Sequence, residues 1–296
     1  MNPGLVIVTY RCRDDALRCL ESVKLHLPEL LASTVVIDNA SGDTTAVAVR
    51  EAFPAVTMVE NERNVGFAAA ANQGIAALPD KQVVALLNPD TVILDAHLAN
   101  AAAFMEQVTN VGVVGVRIEN RDGTLQPSCR QFPSHLTAVF NRHSLLTKLI
   151  PGNRWSSRYL MTDWSHAEVR DVDWVAFSCA LIHRRSLDSV GVLDEGYFFS
   201  IEDVDYCRRV QDAGLRVVYF PTARVQHRVG GSSRSNVYRA IRAHHSGMWR
   251  YYRKFNERNL VIDTMTAGGI GARLAVHALS YTVRSTFNRV FGRPNR

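Results

Sequence analysis

The chain has 296 residues, 47% of them hydrophobic and 21% charged, which is typical of one large globular domain with an appendage. Its five cysteines are scattered and include no CxxC pair, which argues against a disulfide framework and a zinc site and predicts a reduced, cytosolic protein. A net charge of +6 favours anionic partners, which are nucleic acid, phosphorylated small molecules or an acidic membrane surface.

The sequence predicts no targeting or membrane-spanning segment. The N-terminus enters an apolar, β-branched run almost at once, which leaves no room for a signal peptide. No uninterrupted apolar stretch is long enough to cross a bilayer. We therefore expect a chain that is neither secreted nor transmembrane.

The first ninety or so residues alternate between short apolar runs and segments of helical spacing. Strands are predicted over 5–8, 34–37, 56–59 and 83–87, and helices over 16–23, 44–53 and 66–78. Because strands that alternate with helices are joined by right-handed crossovers, the pattern predicts an open, mostly parallel α/β sheet flanked by helices.

Polar residues follow each of these strands. In open α/β sheets the carboxyl ends of the strands form the ligand-binding crevice, so these side chains should converge on one nucleotide site. Solvated loops would explain each residue singly, but not all four strand ends. Neither GxGxxG after the first strand nor GxxxxGK[ST] occurs, which argues against a dinucleotide-dependent dehydrogenase and a P-loop enzyme. The residues are Thr9, Tyr10, Asp38, Asn39, Asn64 and Asp90.

The tripeptide Asn88-Pro89-Asp90 places a hard oxygen ligand at a strand end. Together with a diphosphate, such a ligand suits Mg²⁺ or Mn²⁺. The alternative is a simple turn, which is a common use of proline and aspartate.

The middle of the chain is less regular. An apolar strand is predicted from Val111, a polar, turn-rich stretch from 117 to 135, and an irregular insertion over 136–170. Strands follow over 172–175 and 179–182. Trp174 could stack on a sugar ring or fill the core, and its apolar neighbours favour neither alternative.

The most acidic stretch runs from Asp194 to Asp205 and surrounds an aromatic run. A partly dry pocket of this kind would raise the pKa of Glu202 or Asp203 towards that of a general base. The alternative is structural: Ser200 and Asp203 have the spacing of a capping box at the start of a helix through 210.

The C-terminal third combines a histidine with two basic segments. A strand over 217–220 is followed by His227 before a glycine loop, where it is either structural or a metal ligand. The basic, aromatic helix over 234–254 indicates nucleic acid or a phosphate-bearing lipid headgroup. The amphipathic tail over 273–291 suits a membrane interface, or docking on the domain or on another subunit.

Several motifs together resemble the inverting GT-A glycosyltransferases of family 2. They cover residues 4–255 in the family's order. The segments 173–175 and 191–195 further resemble its rhamnosyltransferase-like branch. The motifs are Val8-Thr9-Tyr10, Val36-Ile37-Asp38-Asn39-Ala40-Ser41, Asn64-Val65-Gly66-Phe67 through Asn72, Leu87-Asn88-Pro89-Asp90, Glu202-Asp203-Val204-Asp205 and His227.

The resemblance implies a GT-A domain over 1–255, with a nucleotide-binding half (1–117) and an acceptor and catalytic half (118–233). A basic amphipathic helical region over 256–296 follows. The nucleotide-sugar donor would be bound by Thr9, Tyr10, Asp38, Asn39, Asn64, Gly66, Asn88 and Asp90.

The resemblance also implies the catalytic roles. Asn88 stands where the family often has the first aspartate of an Asp-x-Asp motif, so Asp90 would carry the metal role, assisted by His227. Asp203 resembles the catalytic base, with Glu202 as the fallback. Trp174 and Asp205 would contact the acceptor.

The predicted function is an inverting glycosyltransferase that uses Mg²⁺ or Mn²⁺ and transfers L-rhamnose from dTDP-rhamnose. The acceptor would be lipid-linked or a polysaccharide, and the protein would lie peripherally on the inner face of the cell membrane. It would have no nucleic-acid partner, and both a monomer and a homo-oligomer remain open. The nearest alternative is a UDP-hexose or UDP-amino-sugar transferase. A nucleic-acid-binding protein and a catalytically silent sugar-nucleotide sensor are alternatives of other classes.

Overall fold

The computed structural model describes residues 2–133, 159–161, 163–228 and 237–290. The first half contains β1 (Gly4–Thr9), α1 (Arg13–His26), a 3₁₀ turn (Pro28–Ser33), β2 (Thr34–Asp38), α2 (Thr45–Ala52), β3 (Thr57–Glu60), α3 (Phe67–Ala76), β4 (Val83–Leu87), β5 (Thr91–Ile93), α4 (Leu98–Gln107) and β6 (Val111–Glu119). The second half contains β7 (Leu125–Gln126), β8 (Cys129–Arg130), β9 (Arg170–Asp171), β10 (Trp174–Val175), β11 (Cys179–His183), α5 (Arg184–Val190), α6 (Glu202–Asp212), β12 (Arg216–His227), α7 (Val237–Phe255) and α8 (Leu260–Val290).

One sheet joins the two halves of the domain. Its strand order is β3-β2-β1-β4-β11-β6-β12-β5. The first four strands are parallel, β11 runs antiparallel to both β4 and β6, and β12 is parallel to β6. The predicted α/β class is confirmed, and the predicted boundary at 117/118 falls inside β6.

The central strands form because their residues are apolar on both faces. Every residue of β4 and of β11 is buried. Strands that read as continuous apolar runs belong in the middle of a sheet covered by helices on both faces. Accordingly, one apolar cluster lies between the sheet and α3 and α6, and a second lies between the sheet and α1 and α4.

The second half differs from the prediction in two places. The strand predicted over 217–220 continues to His227 as one strand, β12, whose pairing with β6 shifts between Phe220 and Arg224. Pro221 lies at this irregularity, since proline cannot donate to the ladder. Helix α6 begins at Glu202 without a side-chain cap, so the capping-box alternative for Ser200 and Asp203 is wrong. Most of the predicted insertion over 136–170, and the glycine loop after His227, lie outside the described residues.

Two helices follow the sheet domain. Helix α7 packs on the segment before α6, and α8 packs along α7 through pairs such as Tyr238 with Tyr281 and Tyr252 with Asp263. Helix α8 extends the tail predicted over 273–291 towards the N-terminus by more than ten residues. In the described part of the chain, no helix has the length and apolar character needed to cross a membrane.

Candidate active site

Side chains at the ends of β1 and β2 hold one another in place. Thr9 Oγ1 donates to Asp38 Oδ1 at 3.1 Å, and Asp38 Oδ2 accepts the backbone N–H of Ser41 at 3.0 Å. Ser41 Oγ accepts the N–H of Arg11 at 2.9 Å. Tyr10 is half-buried and lies under the Arg11 guanidinium, 5.3 Å from the ring centroid. The Asp38 carboxylate thus fixes the loops that follow both strands.

Asn39 connects β2 to the segment that opens α3. Its Nδ2 donates to Asn64 Oδ1 at 3.2 Å and to the carbonyl of Gly66 at 3.1 Å. Its Oδ1 accepts from Asn61 Nδ2 at 3.2 Å and from the N–H of Val65 at 3.0 Å. Every polar atom of this buried side chain therefore has a partner, which is the condition for a stabilising buried network.

The segment before α3 touches the segment before α6. Gly66 has a φ of +93°, and a Cβ there would lie 2.7 Å from the carbonyl oxygen of Phe198, so only glycine fits. The N–H of Phe67 donates to that same oxygen at 2.9 Å. Asn72 Nδ2 also donates to the carbonyl of Leu193 at 2.9 Å. Phe67 and Asn72, in α3, are therefore hydrogen-bonded to the acidic stretch and the residue just before it.

A cavity of about 240 Å³ lies between the end of β4 and the start of α6. It brings together five predicted site residues that are far apart in sequence: Asn88, Asp90, Glu202, Asp203 and His227. The rest of its lining is Phe67, Phe177, Ser178, Phe199 and Ser200.

Two adjacent carboxyl groups face this cavity. Glu202 is buried, and its Oε2 has no hydrogen-bond partner. Burial raises the pKa of Glu202 well above its usual range, and the neighbouring Asp203 raises it further. Burial also raises the pKa of Asp203, to about 6, although the backbone N–H groups of Val204 and Phe177 oppose the shift. Near neutral pH this places the ionised carboxylate on Asp203, the state that a general base requires.

The residues predicted to hold a metal lie side by side. Asp90 Oδ1 is 3.3 Å from His227 Nε2, yet that oxygen is buried and makes no hydrogen bond. His227 Nδ1 lies 2.8 Å from Gln126 Oε1, so Nδ1 carries the proton and Nε2 presents its lone pair beside Asp90. This arrangement, in which the second ring nitrogen is fixed by an outer partner, is typical of metal-binding histidines.

The pair fits a divalent ion that is completed by its substrate. No three His, Cys, Asp or Glu side chains in the described ranges gather as a metal site. Two protein ligands leave room for phosphate oxygens and water, the usual environment of Mg²⁺ in sites that bind phosphate substrates.

Two predicted acceptor residues lie elsewhere. Trp174 is 8% exposed, and its Nε1 donates to the carbonyl of Gln131 at 2.9 Å, so it fills the core. Asp205 is fully buried and accepts from Tyr197 Oη at 3.0 Å and from Arg209 Nε at 2.8 Å. Neither residue lines the cavity, because α6 turns Asp205 into the protein interior. The predicted donor-binding residues also lie outside the cavity lining, although they lie at the same sheet edge: Thr9, Tyr10, Asp38, Asn39, Asn64 and Gly66.

The sequence reasoning missed an arginine cluster beside Asp90. A second cleft of about 470 Å³ is lined by Arg11, Arg13, Arg18 and Arg228, together with acidic residues. The backbone N–H of Arg228 donates to the carbonyl of Asp90 at 3.0 Å, and Arg228 Nε is buried without a partner. Guanidinium groups at this place can bind phosphate. The available signal was three arginines directly after β1 and an arginine next to His227.

Sequence comparison identifies relatives of known activity. The sequence model of glycosyl transferase family 2 matches residues 5–191. The N-acetylglucosaminyl-diphospho-decaprenol L-rhamnosyltransferase of Mycobacterium tuberculosis is 31% identical over 271 residues, which cover 83% of this chain and 86% of that protein. The rhamnosyltransferase WbbL of Escherichia coli K12 is 36% identical over 80 residues, covering 27% of this chain and 30% of WbbL.

Structural comparison identifies the fold. The mannosyltransferase PcManGT of Pyrobaculum calidifontis, solved with GDP-Man and Mn²⁺, has a TM-score of 0.57 at 15% identity and covers 97% of this chain and 79% of its own. GalNAc-T7, solved with UDP, GalNAc and Mn²⁺, has a TM-score of 0.57 at 16% identity over 82% of this chain, which spans less than half (47%) of GalNAc-T7. The fold is GT-A, and the chain belongs to glycosyl transferase family 2 and is a glycosyltransferase.

Proposed function

We propose that this chain is an inverting, metal-dependent rhamnosyltransferase that transfers L-rhamnose from dTDP-rhamnose to a lipid-linked acceptor in cell-surface glycan synthesis. The observation that carries the proposal is the 31% identity to the mycobacterial enzyme over most of both chains. The name of that relative gives L-rhamnose as its sugar and a lipid-linked N-acetylglucosaminyl diphosphate as its acceptor.

Asp203 is the general base of the proposed reaction. Its raised pKa of about 6 leaves it ionised at neutral pH, yet basic enough to take the proton from an acceptor hydroxyl. That hydroxyl attacks the anomeric carbon of the donor while the nucleoside diphosphate leaves from the opposite face, which inverts the configuration. Glu202 is the alternative base, but burial raises its pKa well above the usual range, so it could accept the hydroxyl proton only after losing its own.

Asp90 and His227 would hold Mg²⁺ or Mn²⁺. The buried, unpartnered Asp90 Oδ1 and the fixed tautomer of His227 support this assignment. When bound, the ion neutralises charge that develops on the leaving diphosphate. Arg18 and Arg228 line the small cleft that also contains Asp90, and we assign them to the phosphate groups of the donor.

The second candidate is a UDP-hexose or UDP-amino-sugar transferase of the same fold. A structural neighbour solved with UDP-GlcNAc, TarS of S. aureus, favours it, with a TM-score of 0.53 at 15% identity. Calorimetric titration with dTDP, UDP and GDP, each with and without Mn²⁺, separates the two candidates. We expect Mn²⁺-dependent binding with preference for dTDP. A preference for UDP would favour the second candidate, and binding of none of the three would contradict both.

A peripheral membrane location completes the proposed function, and α8 supports it. The side of α8 that faces away from α7 carries apolar rather than polar residues, spaced by three or four positions along one stripe. The exposed fractions of its large members lie between 50% and 73%. The stripe, which we call the α8 stripe, consists of Val261, Met265, Gly268, Ala272, Val276, Leu279, Val283 and Phe287.

An anionic lipid surface is the occupant that the charge of this region favours. Residues 256–296 contain six arginines and two acidic residues, so two copies packed through their stripes would bring like charges together. A basic helix with one apolar face binds in the plane of a membrane interface.

Vesicle binding tests the membrane location. We expect the chain to co-sediment with vesicles that contain anionic lipid, and to lose most of this binding in the double variant Leu279→Glu/Val283→Glu. The double variant Leu25→Glu/Val47→Glu is the matched control, because both residues are exposed and lie on α1 and α2. Equal loss in both variants, or a dimer that dissociates in the α8 variant, would contradict the assignment.

A further inference from the structure

The backbone just before the carboxylate pair is unusual. Ser200 has a φ of +70° and Ile201 a φ of +76°, so two consecutive residues with side chains adopt the left-handed conformation next to Glu202. This conformation is unfavourable for residues with a Cβ and especially for a β-branched one. It persists only where the surrounding structure holds it, and such turns cluster at functional sites.

One face of α7 packs directly on this turn. His244 Nδ1 lies 3.0 Å from Ser200 Oγ. Gly247 is buried, and a Cβ there would lie 3.2 Å from the carbonyl oxygen of Ser200 and 3.3 Å from Ile201 Cγ1. Since residues three apart share a helix face, His244 and Gly247 contact the turn together.

The same face holds both ends of the acidic stretch. Arg250 makes two hydrogen bonds to Asp194, of 2.8 Å and 3.2 Å. Lys254 Nζ lies 3.0 Å from Asp194 Oδ2 and 2.7 Å from Asp205 Oδ1. Because Asp205 is fully buried in the first turn of α6, Lys254 connects the start of the stretch to the helix that carries the carboxylates.

We propose that His244, Gly247, Arg250 and Lys254 form a positioning face on α7 that holds the Ser200–Ile201 turn and so sets the place of Glu202 and Asp203 in the cavity. None of the four is a catalytic residue. The inference rests on the proposed function, since it takes Asp203 as the base. It also gives Arg250 and Lys254 a role inside the protein rather than on a nucleic acid or a lipid headgroup.

The variant Gly247→Ala is the most direct test, because it adds one methyl group against the turn. A shift of a few tenths of an ångström at the base should lower kcat about tenfold, since catalysis is sensitive to misplacement on this scale. Alanine favours the helix over glycine, so the melting temperature should stay the same or rise. Ser246→Ala, at the exposed neighbouring position, is the control and should keep wild-type kcat.

Side-chain variants test the rest of the positioning face. His244→Leu should lower kcat about tenfold, whereas His244→Asn, which keeps a hydrogen-bonding atom near the position of Nδ1, should restore most of it. Lys254→Met should act like His244→Leu. Its matched control is Arg253→Met, since Arg253 pairs with Asp263 on α8. In every variant the KM for the sugar nucleotide should stay within about twofold, because the donor site is untouched.

A purely structural role predicts other results. Loss of melting temperature without a change in kcat, a rise in KM at constant kcat, or failure of His244→Asn to restore kcat would each overturn the inference. Hydrogen–deuterium exchange of the peptide around 197–206 tests the inference without measuring turnover. Gly247→Ala and His244→Leu should speed that exchange, whereas Ser246→Ala and His244→Asn should not. If the wild type turns over neither dTDP-rhamnose nor a UDP-sugar, the proposed function fails, and unchanged exchange in these variants would separately refute the positioning face.

Discussion

The region around Asp38 and Asn39 and the cavity at the end of β4 differ in whether their buried polar atoms have hydrogen-bond partners. Around Asn39 and Asp38, the side-chain oxygens and nitrogens find partners within the protein. Around the cavity, Asp90 Oδ1 and Glu202 Oε2 are buried without partners. A buried polar atom without a partner carries a cost that a protein retains where a ligand supplies the missing contact. The first region therefore maintains the shape of the protein, and the second has open hydrogen-bonding positions that a ligand would fill.

Loss of Asp203, the proposed base, should produce the largest effect. Asp203→Asn removes the proton acceptor while it keeps the shape of the side chain, so we expect kcat to fall about 10³-fold with donor affinity unchanged. Steady-state kinetics and calorimetry measure the two quantities. Asp212→Asn, an exposed position at the other end of α6, is the control. Near-normal turnover of Asp203→Asn would transfer the base role to Glu202.

The wild-type pH profile should agree with this assignment. Because Asp203 must be ionised and its pKa is about 6, kcat/KM should rise about tenfold per pH unit below 6 and level off above it. The titration belongs to the pair Glu202 and Asp203 rather than to one group.

Loss of Asp90, the proposed metal ligand, should come next in size. Asp90→Asn should abolish the strengthening of nucleotide binding by Mn²⁺, weakening binding about 100-fold in its presence and leaving metal-free binding unchanged. Titration calorimetry with and without the ion measures both. Asp80→Asn, at an exposed position before β4, should behave as wild type. An equal loss without Mn²⁺ would show that Asp90 contacts the donor directly.

The four parallel strands of the sheet, β1 to β4, could be predicted from local sequence patterns. All four predicted strands in residues 1–90 form within one or two residues of the expected bounds, because each is a continuous apolar run. Strand β5 was missed, since its three residues pair with β12, more than 130 positions away, and no local pattern encodes that contact. Helix α4 was also missed, although Leu98, Ala101, Ala102 and Met105 recur at helical spacing.

Residue patterns alone left Asp90, His227 and Asp203 open between structural and functional roles, and only the resemblance to family 2 assigned them to one site. All three line one cavity. Trp174 and Asp205 were misplaced, because residue type does not reveal which way a side chain points from a short strand or from the first turn of a helix. The contacts of His244 and Gly247 with the turn depend on the docking of α7, which no sequence period reports.

The network around Asn39 should show its effect in stability rather than catalysis. Asn39→Ala leaves several buried groups unpaired, so the free energy of unfolding should fall by about 2–3 kcal/mol. Chemical denaturation measures it. Asn110→Ala, at an exposed turn, should change it by less than about 0.5 kcal/mol. If the free energy of unfolding of Asn39→Ala changed as little, the hydrogen bonds around Asn39 would not stabilise the protein, and this region would not differ from the cavity in the way we infer.

Glu202 should show the smallest effect, as a change in how stability depends on pH. Its folded-state pKa is raised by burial, so the folded state retains the proton after the unfolded chain, with a pKa of about 4.3, has released it. The stability contributed by this group is fully present below that unfolded pKa and is lost as pH rises towards the folded one, at up to about 1.4 kcal/mol per unit. Glutamine cannot titrate, so the free energy of unfolding of Glu202→Gln should not fall in this way. Between pH 4.5 and 6 it should rise by roughly 1–2 kcal/mol relative to that of wild type, whatever the difference between the two proteins at pH 4.5.

Asn39→Ala is the control, because it leaves Glu202 in place. Its plot of unfolding free energy against pH should be parallel to that of wild type over the same range. If the plot for Glu202→Gln were also parallel to that of wild type, water or an ion would solvate Glu202. The difference between the region around Asn39, where buried polar atoms have partners, and the cavity, where they do not, would then disappear.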